Sequence, residues 1–136
     1  MASLGIPRAI YEGSASYSMW VPAPGVVVQR LAGRAEVDVA KAATGELDAV
    51  LRECSEITLF DDFDELVSFT AATRAWVVSW TRANIDKHRA IHVLVSSKLV
   101  SMGVTVASVA LRGVRSYSER ARFEAALATE IVHAKR

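Results

Sequence analysis

Apolar and polar positions alternate near the start of the chain, and this pattern predicts a β-hairpin. In ASYSMWV (15–21), bulky side chains alternate with smaller or polar ones, and VVVQRLAG (26–33) is rich in β-branched residues. The segment Pro22-Ala-Pro-Gly25 separates the two runs. Because proline has no N–H to donate to a strand ladder, we expect Pro22 and Pro24 to lie in the connecting loop.

Beyond the hairpin, apolar residues recur every three or four positions in some segments and form short continuous runs in others, which predicts alternating helices and strands. The predicted elements are a helix from Val37 to about Glu53, a strand at 56–60, a helix from about Phe63 to Lys87, a strand at 90–97, a helix from Ser97 to about Arg112, a strand at 114–117 and a last helix from Ser118 or Glu119. This order, ββαβαβαβα, predicts a single-domain α/β fold. Its mixed sheet starts with the hairpin and continues with parallel strands, and the helices pack on the sheet.

Residues 1–14 form a short lead-in to the domain, which we place at 15–136. The lead-in has no basic head followed by a continuous apolar run, so it does not have the pattern of a secretory signal. We expect it to be flexible or to pair with an edge of the sheet. A length of 136 residues is typical of one domain.

Composition and charge exclude several classes of function. Hydrophobic residues make up 51% of the chain and charged residues 23%, which is typical of globular proteins, and the formal net charge is +1. The chain therefore lacks the basic charge that binds nucleic acid. Cys54 is the single cysteine, which excludes an intrachain disulfide and indicates a reducing cytoplasm.

The segment LFDDFDELVSF (59–69) places three aspartates and a glutamate among large apolar residues. Asp62, followed three residues later by Glu65, forms a capping box, so the segment predicts the start of the second helix. Two alternatives remain open. The carboxylates hold a metal ion or do chemistry, although no glycine-rich phosphate loop accompanies them. Otherwise they belong to a partner-contact surface made of Asp61, Asp62, Phe63 and Asp64.

The predicted third helix has no charged residue between positions 99 and 111. This uncharged part is 13 residues long, whereas a membrane span needs about 20, so we predict no transmembrane segment. Val100, Val104 and Leu111 lie outside the stripe that would face the core. Either another element covers them, such as residues 1–14, or they contact another protein or a second copy of the chain.

Trp76 and Trp80 are one helical turn apart, which is typical of core residues. The alternative is a pocket for a lipid or small apolar ligand, lined by Trp76, Trp80 and Met102 between the second and third helices. The histidines lack the spacing of a zinc site, and we expect His92 to be a core residue with satisfied hydrogen bonds. The chain has no G-x-S-x-G motif. We therefore expect no catalytic residue, no metal and no cofactor, and hence no enzyme.

The element order and two segments resemble the STAS domain, the SpoIIAA-like fold of bacterial anti-sigma factor antagonists. The segments are VVVQRLAGRAEVDVAKA (26–42), in which a strand, a glycine and a helix succeed each other, and YSERARFEAALA (117–128), which is similar to the last strand and final helix of that family. The resemblance covers residues 15–134. It implies a non-catalytic regulatory module that acts in bacterial cytoplasmic signalling through protein–protein interaction.

STAS domains carry a phosphorylatable serine in an Asp-x-Ser-Gly loop where a strand enters the second helix. In this chain the junction reads LFDDFDELVSFTA (59–71) and lacks that motif. Ser68 and Thr70 are the nearest hydroxyls, and the pattern places both inside the helix. We therefore expect an interaction module that phosphorylation at the usual serine does not control. The alternative is a small-molecule-binding or lipid-binding domain of the same fold.

Overall fold

The structure is a computed structural model that describes residues 4–98, 100–101, 103–105, 111 and 113–135. Its elements are β1 (Ala9–Glu12), β2 (Ala15–Ala23), β3 (Val26–Ala35), α1 (Val37–Glu53), β4 (Ile57–Phe69), α2 (Ala71–Ala83), β5 (His88–Val95), α3 (helical residues 98, 100–101 and 103–105), β6 (Val114–Tyr117) and α4 (Arg120–Ala134). The predicted α/β order is confirmed, and the structure adds β1 in front of the hairpin.

All six strands form one mixed sheet, in the order β1-β2-β3-β4-β5-β6. Neighbouring strands are antiparallel from β1 to β3 and parallel from β3 to β6. The strand β1 comes from the lead-in and pairs along β2 with Ala9 opposite Met19. Residues 9–12 thus form one edge of the sheet, and β6 forms the other.

The opening hairpin is confirmed, but its loop is shorter than expected. Pro22 lies inside β2, where the pairing register shifts between Trp20 and Ala23. An irregularity of this kind interrupts the ladder, so the missing N–H of proline is tolerated there. The turn itself consists of Pro24 and Gly25, and Gly25 has the positive φ, +73°, that such a turn needs.

The sheet separates two apolar cores. Strand residues such as Val27, Leu59 and Val93 point to the face that α1 and α3 cover, whereas Val28, Phe60 and Leu94 point to the face that α4 covers. Because successive side chains of a strand point to opposite faces, continuous apolar runs fill both cores at once.

The strand β4 differs most from what the sequence predicts. Residues 57–69 form one strand, which pairs with β3 from Val26 opposite Thr58 to Ala35 opposite Phe69. The predicted helix start at Asp62 is therefore wrong, as is the capping box with Glu65. The hydrogen bonds to β3 and the tertiary contacts of the carboxylates stabilise the strand more than the local sequence favours a helix. Intrinsic helix propensity is small and is often overridden by tertiary contacts.

The second helix begins eight residues later than predicted. Its N-cap is Thr70, whose hydroxyl accepts a hydrogen bond from the Thr73 N–H at 3.1 Å. Ser68 lies in β4 and not in the helix. The helix ends at Ala83, and His88 already belongs to β5, so the predicted end at Lys87 is also corrected.

Of the two alternatives left open for the third helix, the structure shows cover by the rest of the chain at the three positions named. Val100, Val104 and Leu111 are all buried, and the first two belong to the core between α1, α3 and the sheet. Gly103 permits this close packing, because a Cβ atom there would overlap the ring of Phe69. The strand from the lead-in lies at the far edge of the sheet, so residues 9–12 do not provide the cover.

Candidate functional site

A cavity of about 140 Å³ lies between the sheet and the helices α1, α2 and α3. Side chains of β3, β4 and β5 form its floor, and α1 and α2 form its walls. The lining is mostly apolar and includes Leu31, Val39, Ala43, Leu47, Leu59, Phe63, Leu66, Phe69, Val77, Ile91, Val93 and Val104. A concave, mostly apolar space with a few polar groups is the usual form of a small-molecule site.

The cavity exists because α2 is attached to α1 more than to the sheet. The Trp76 indole N–H donates to the Thr44 hydroxyl at 3.0 Å, and the Trp80 indole N–H donates to the Asp48 carboxylate at 2.9 Å. Within α2 only Thr73 and Thr81 are buried. The two buried positions of α2 thus carry short side chains, which leave part of the space above the sheet unfilled.

Asp61 contributes the one carboxyl group among the described residues that line the cavity. Its side chain is buried, with 8% of its surface exposed. Gln29 of β3 donates from Nε2 to Asp61 Oδ1 at 2.9 Å, and Tyr17 of β2 donates from its hydroxyl to Gln29 Oε1 at 2.6 Å. Because Tyr17 donates to the amide oxygen, the amide N–H groups must point towards Asp61.

Burial sets the ionisation of this group. It raises the pKa of Asp61 to about 7, and the hydrogen bond from Gln29 offsets part of that rise. Burial also raises the pKa of the Tyr17 phenol, and the nearby Asp61 carboxylate adds to the effect. Asp61 Oδ2 has no hydrogen-bond partner within the part of the chain that the structure describes. This oxygen is not fully buried, so it is open to a ligand or to water.

Asp62, the next residue, points to the opposite face and has a structural role. It is 1% exposed, and both of its oxygens accept hydrogen bonds from the Arg120 guanidinium at 3.0 Å. Arg30 of β3 approaches the same carboxylate at 3.4 Å. Arg120 also bonds Asp64, which lowers the pKa of that carboxyl group. This cluster fixes the first residue of α4 to the sheet.

The residues proposed as a partner-contact surface are therefore mostly inaccessible. Five of the seven are buried, namely Asp61, Asp62, Val100, Val104 and Leu111. Phe63 and Asp64 are half-buried. The tertiary contacts of β4 and α3 account for this burial, and the alternation along one strand places the two aspartates on different faces.

Of the three predicted pocket residues, Trp80 lines the cavity. Trp76 lies outside it, with 40% of its surface exposed, and Met102 lies outside the described residues. Sequence reasoning missed the group formed by Tyr17, Gln29 and Asp61. A signal was present, because Gln29 directly follows three valines in a strand that is predicted to be buried, and a polar residue at such a position needs a buried partner.

Other chemistry-bearing residues form no comparable site. His92 is buried against Phe60, with ring centroids 4.3 Å apart, and its Nδ1 bonds the Tyr117 hydroxyl at 2.8 Å. Among residues 4–98, 100–101, 103–105, 111 and 113–135, no three His, Cys, Asp or Glu side chains are grouped to hold a metal ion. None of the described helices is long and apolar enough to cross a membrane.

Comparison with known proteins shows the fold. No protein-family model and no curated protein matches the sequence. Among solved structures, the chain is similar to an uncharacterised protein of the DUF3478 family with a SpoIIAA-like fold from Shewanella loihica. The TM-score is 0.67 at 10% sequence identity, over 88% of this chain and 99% of that one. The fold is therefore STAS-like, or SpoIIAA-like, as the sequence resemblance implied.

Proposed function

We propose that this SpoIIAA-like domain binds a small apolar molecule in the cavity between the sheet and α2, with one polar group of the ligand at Asp61. The observation that supports the proposal most is the combination of an apolar cavity with a buried carboxyl group whose Oδ2 has no partner among the described residues. A packing defect would be apolar throughout, whereas a binding site places a polar group where the ligand needs it.

The size of the cavity supports a ligand of modest dimensions. An apolar cavity of about 150 Å³ in another protein holds a benzene-sized molecule, and the cavity in this structure is about 140 Å³. The apolar walls provide affinity by removing the ligand from water, at about 25 cal/mol per Å² of buried apolar surface. Asp61 provides the orientation. We propose binding without catalysis, in keeping with the lack of a nucleophile motif in the sequence.

Native mass spectrometry of protein purified without detergent tests this function. We expect a bound mass in the wild-type protein. Ala43 lies in the α1 wall of the cavity, so Ala43→Phe should remove the bound mass by filling the space. Ala75→Phe makes the same change on the exposed side of α2 and should retain it. Circular dichroism checks that both variants fold, and Ala43→Leu repeats the test with a smaller addition.

A ligand that binds only the folded state must raise the melting temperature of the protein. Two negative results together would therefore contradict the proposal. They are a mass spectrum of the wild-type protein with no bound ligand, and no thermal shift across a panel of lipids and small apolar metabolites.

Protein–protein interaction in bacterial cytoplasmic signalling is the second candidate. The observation that favours it is the pair Trp76 and Val77 on α2, each 40% exposed. Exposed large apolar side chains at adjacent positions are typical of contact surfaces. Light scattering of the wild-type protein and of Trp76→Lys tests this role. A monomer in both, together with no specific partner recovered from lysate, would exclude it.

A further inference from the structure

Two adjacent buried aspartates differ in what balances their charge. Asp62 receives two arginines, Arg30 and Arg120, on the α4 side of the sheet. Asp61, on the cavity side, receives the neutral amide of Gln29 and forms no ion pair with any described residue. A buried carboxylate normally has a cationic partner or several hydrogen bonds. Among the described residues, Asp61 therefore has no cationic partner in direct contact, although Arg74 also lines the cavity.

The hydrogen-bond network also determines which kind of polar group a ligand must place at Asp61. The amide of Gln29 presents its N–H to Asp61 because its oxygen is occupied by the Tyr17 hydroxyl. Asp61 is thus held as an acceptor on Oδ1, and Oδ2 is the atom left for the ligand. A group that donates hydrogen bonds and carries a positive charge satisfies both needs of this carboxylate at once.

We propose that the ligand is a small hydrophobic amine, whose protonated nitrogen donates to Asp61 Oδ2 while its apolar body packs against Leu59, Val77 and Val93. This inference rests on the proposed function, since it names the chemical class of molecule that the same cavity binds. The apolar walls suit a ring or a short branched chain, and the low local dielectric strengthens the ion pair.

Binding of an amine should depend on pH in one direction. Asp61 must be ionised and the amine protonated, so affinity rises as pH increases through the pKa of Asp61, which burial raises to about 7. Among the described residues, the other charged or titratable groups that face this region are Tyr17 of β2 and Arg74 of α2, with Glu46 of α1 near Tyr17. Burial raises the pKa of Tyr17, which keeps the phenol neutral over this range.

Calorimetric titration with benzylamine and benzyl alcohol tests the proposal, because the two probes have the same apolar body. Between about pH 6 and about pH 8, we expect the affinity for benzylamine to rise about tenfold. The affinity for benzyl alcohol should stay constant and lower. Asp61→Asn should remove the preference for the amine, whereas Asp64→Asn, a half-buried position on the same strand, should retain it.

The outcomes separate this inference from the proposed function. Two results would overturn the proposal that the ligand is an amine but leave the cavity as a binding site. The first is that benzyl alcohol binds as tightly as benzylamine or more tightly. The second is that the affinity for benzylamine falls as pH rises. The second result would indicate a ligand that accepts a hydrogen bond from protonated Asp61. Failure of both probes to bind, with no thermal shift from either, counts against both proposals. The pH profile of the wild-type protein decides between these results even if Asp61→Asn does not fold.

Discussion

Asp61 and Asp62 are consecutive in the chain and lie on opposite faces of the same sheet. The first faces the cavity under α2 and is bonded by Gln29, and the second lies under α4 and is bonded by Arg120. Because both are buried but only Asp62 has cationic partners, the two carboxyl groups should contribute differently to stability.

Removal of the Asp62 carboxylate should destabilise the protein. Asp62→Asn leaves Arg120 and Arg30 without their shared acceptor, and loss of one partner of a buried ion pair is strongly destabilising. We expect a loss of about 2–3 kcal/mol, because Arg120 is one-third exposed and water can solvate it again. Urea denaturation measures the change. Asp64→Asn is the control, with an expected loss below about 1 kcal/mol. A loss of this small size for Asp62→Asn would contradict the account.

Asp61 should make stability depend on pH. Its pKa rises from about 3.9 in the unfolded chain to about 7 in the folded protein. Between these values the folded state holds a proton that the unfolded state has released, so the free energy of unfolding decreases as pH rises. The decrease between about pH 4 and about pH 7 is on the order of 4 kcal/mol.

The Asp61→Asn variant has no carboxyl group to titrate at position 61. All other titrating groups are the same in the variant and in the wild-type protein. Urea denaturation of the two proteins across this pH range isolates the contribution of Asp61. We expect the wild type to lose stability relative to the variant as pH rises. Parallel stability profiles would show that Asp61 is not perturbed by burial.

The start of α2 provides a direct test of where the helix begins. Thr70→Ala removes the N-cap hydroxyl, which accepts from the Thr73 N–H, and should cost about 1 kcal/mol. Glu65 is exposed in β4 and caps nothing, so Glu65→Ala should change the free energy of unfolding by less than about 0.5 kcal/mol. The reverse order of these two effects would support a helix that starts at Asp62.

Two helical glycines should respond oppositely to the same substitution. Gly103 of α3 packs against the Phe69 ring, so the added methyl group of Gly103→Ala should destabilise the protein by about 1–2 kcal/mol. Gly45 of α1 has no atom near its missing Cβ, so Gly45→Ala should stabilise it by about 0.5–1 kcal/mol. Thermal unfolding of both variants measures the contrast. Stabilisation by Gly103→Ala would show that α3 does not lie against Phe69.

The periodicity of the sequence was sufficient for the fold class but not for the course of β4. The hairpin and α1 were predictable because their apolar spacing is regular. The stretch from Asp61 to Leu66 has a helix-like sequence pattern because β4 has register shifts between Asp62 and Glu65 and between Leu66 and Ser68. Each shift inserts one residue and changes the strand period locally, so the apolar positions imitate helical spacing.

The site was harder to predict than the fold, because its parts are distant in sequence. Tyr17, Gln29 and Asp61 meet only through the pairing of β2, β3 and β4. The local sequence around Asp61 contains a helix-start signal, and nothing in it shows that Arg120 will meet Asp62 from the far end of the chain. The cavity depends in turn on the distance of α2 from the sheet, which the contacts of Trp76 and Trp80 with α1 determine.

The most direct test of the account is an NMR titration of the Asp61 carboxyl carbon, with and without saturating benzylamine. Without ligand, we expect a midpoint near pH 7, as the burial of Asp61 predicts. With ligand, the midpoint should fall by at least about one pH unit, because a neighbouring ammonium favours the carboxylate. A midpoint near the ordinary value of about 3.9 in the free protein, or one that saturating benzylamine does not change, would contradict the proposed site.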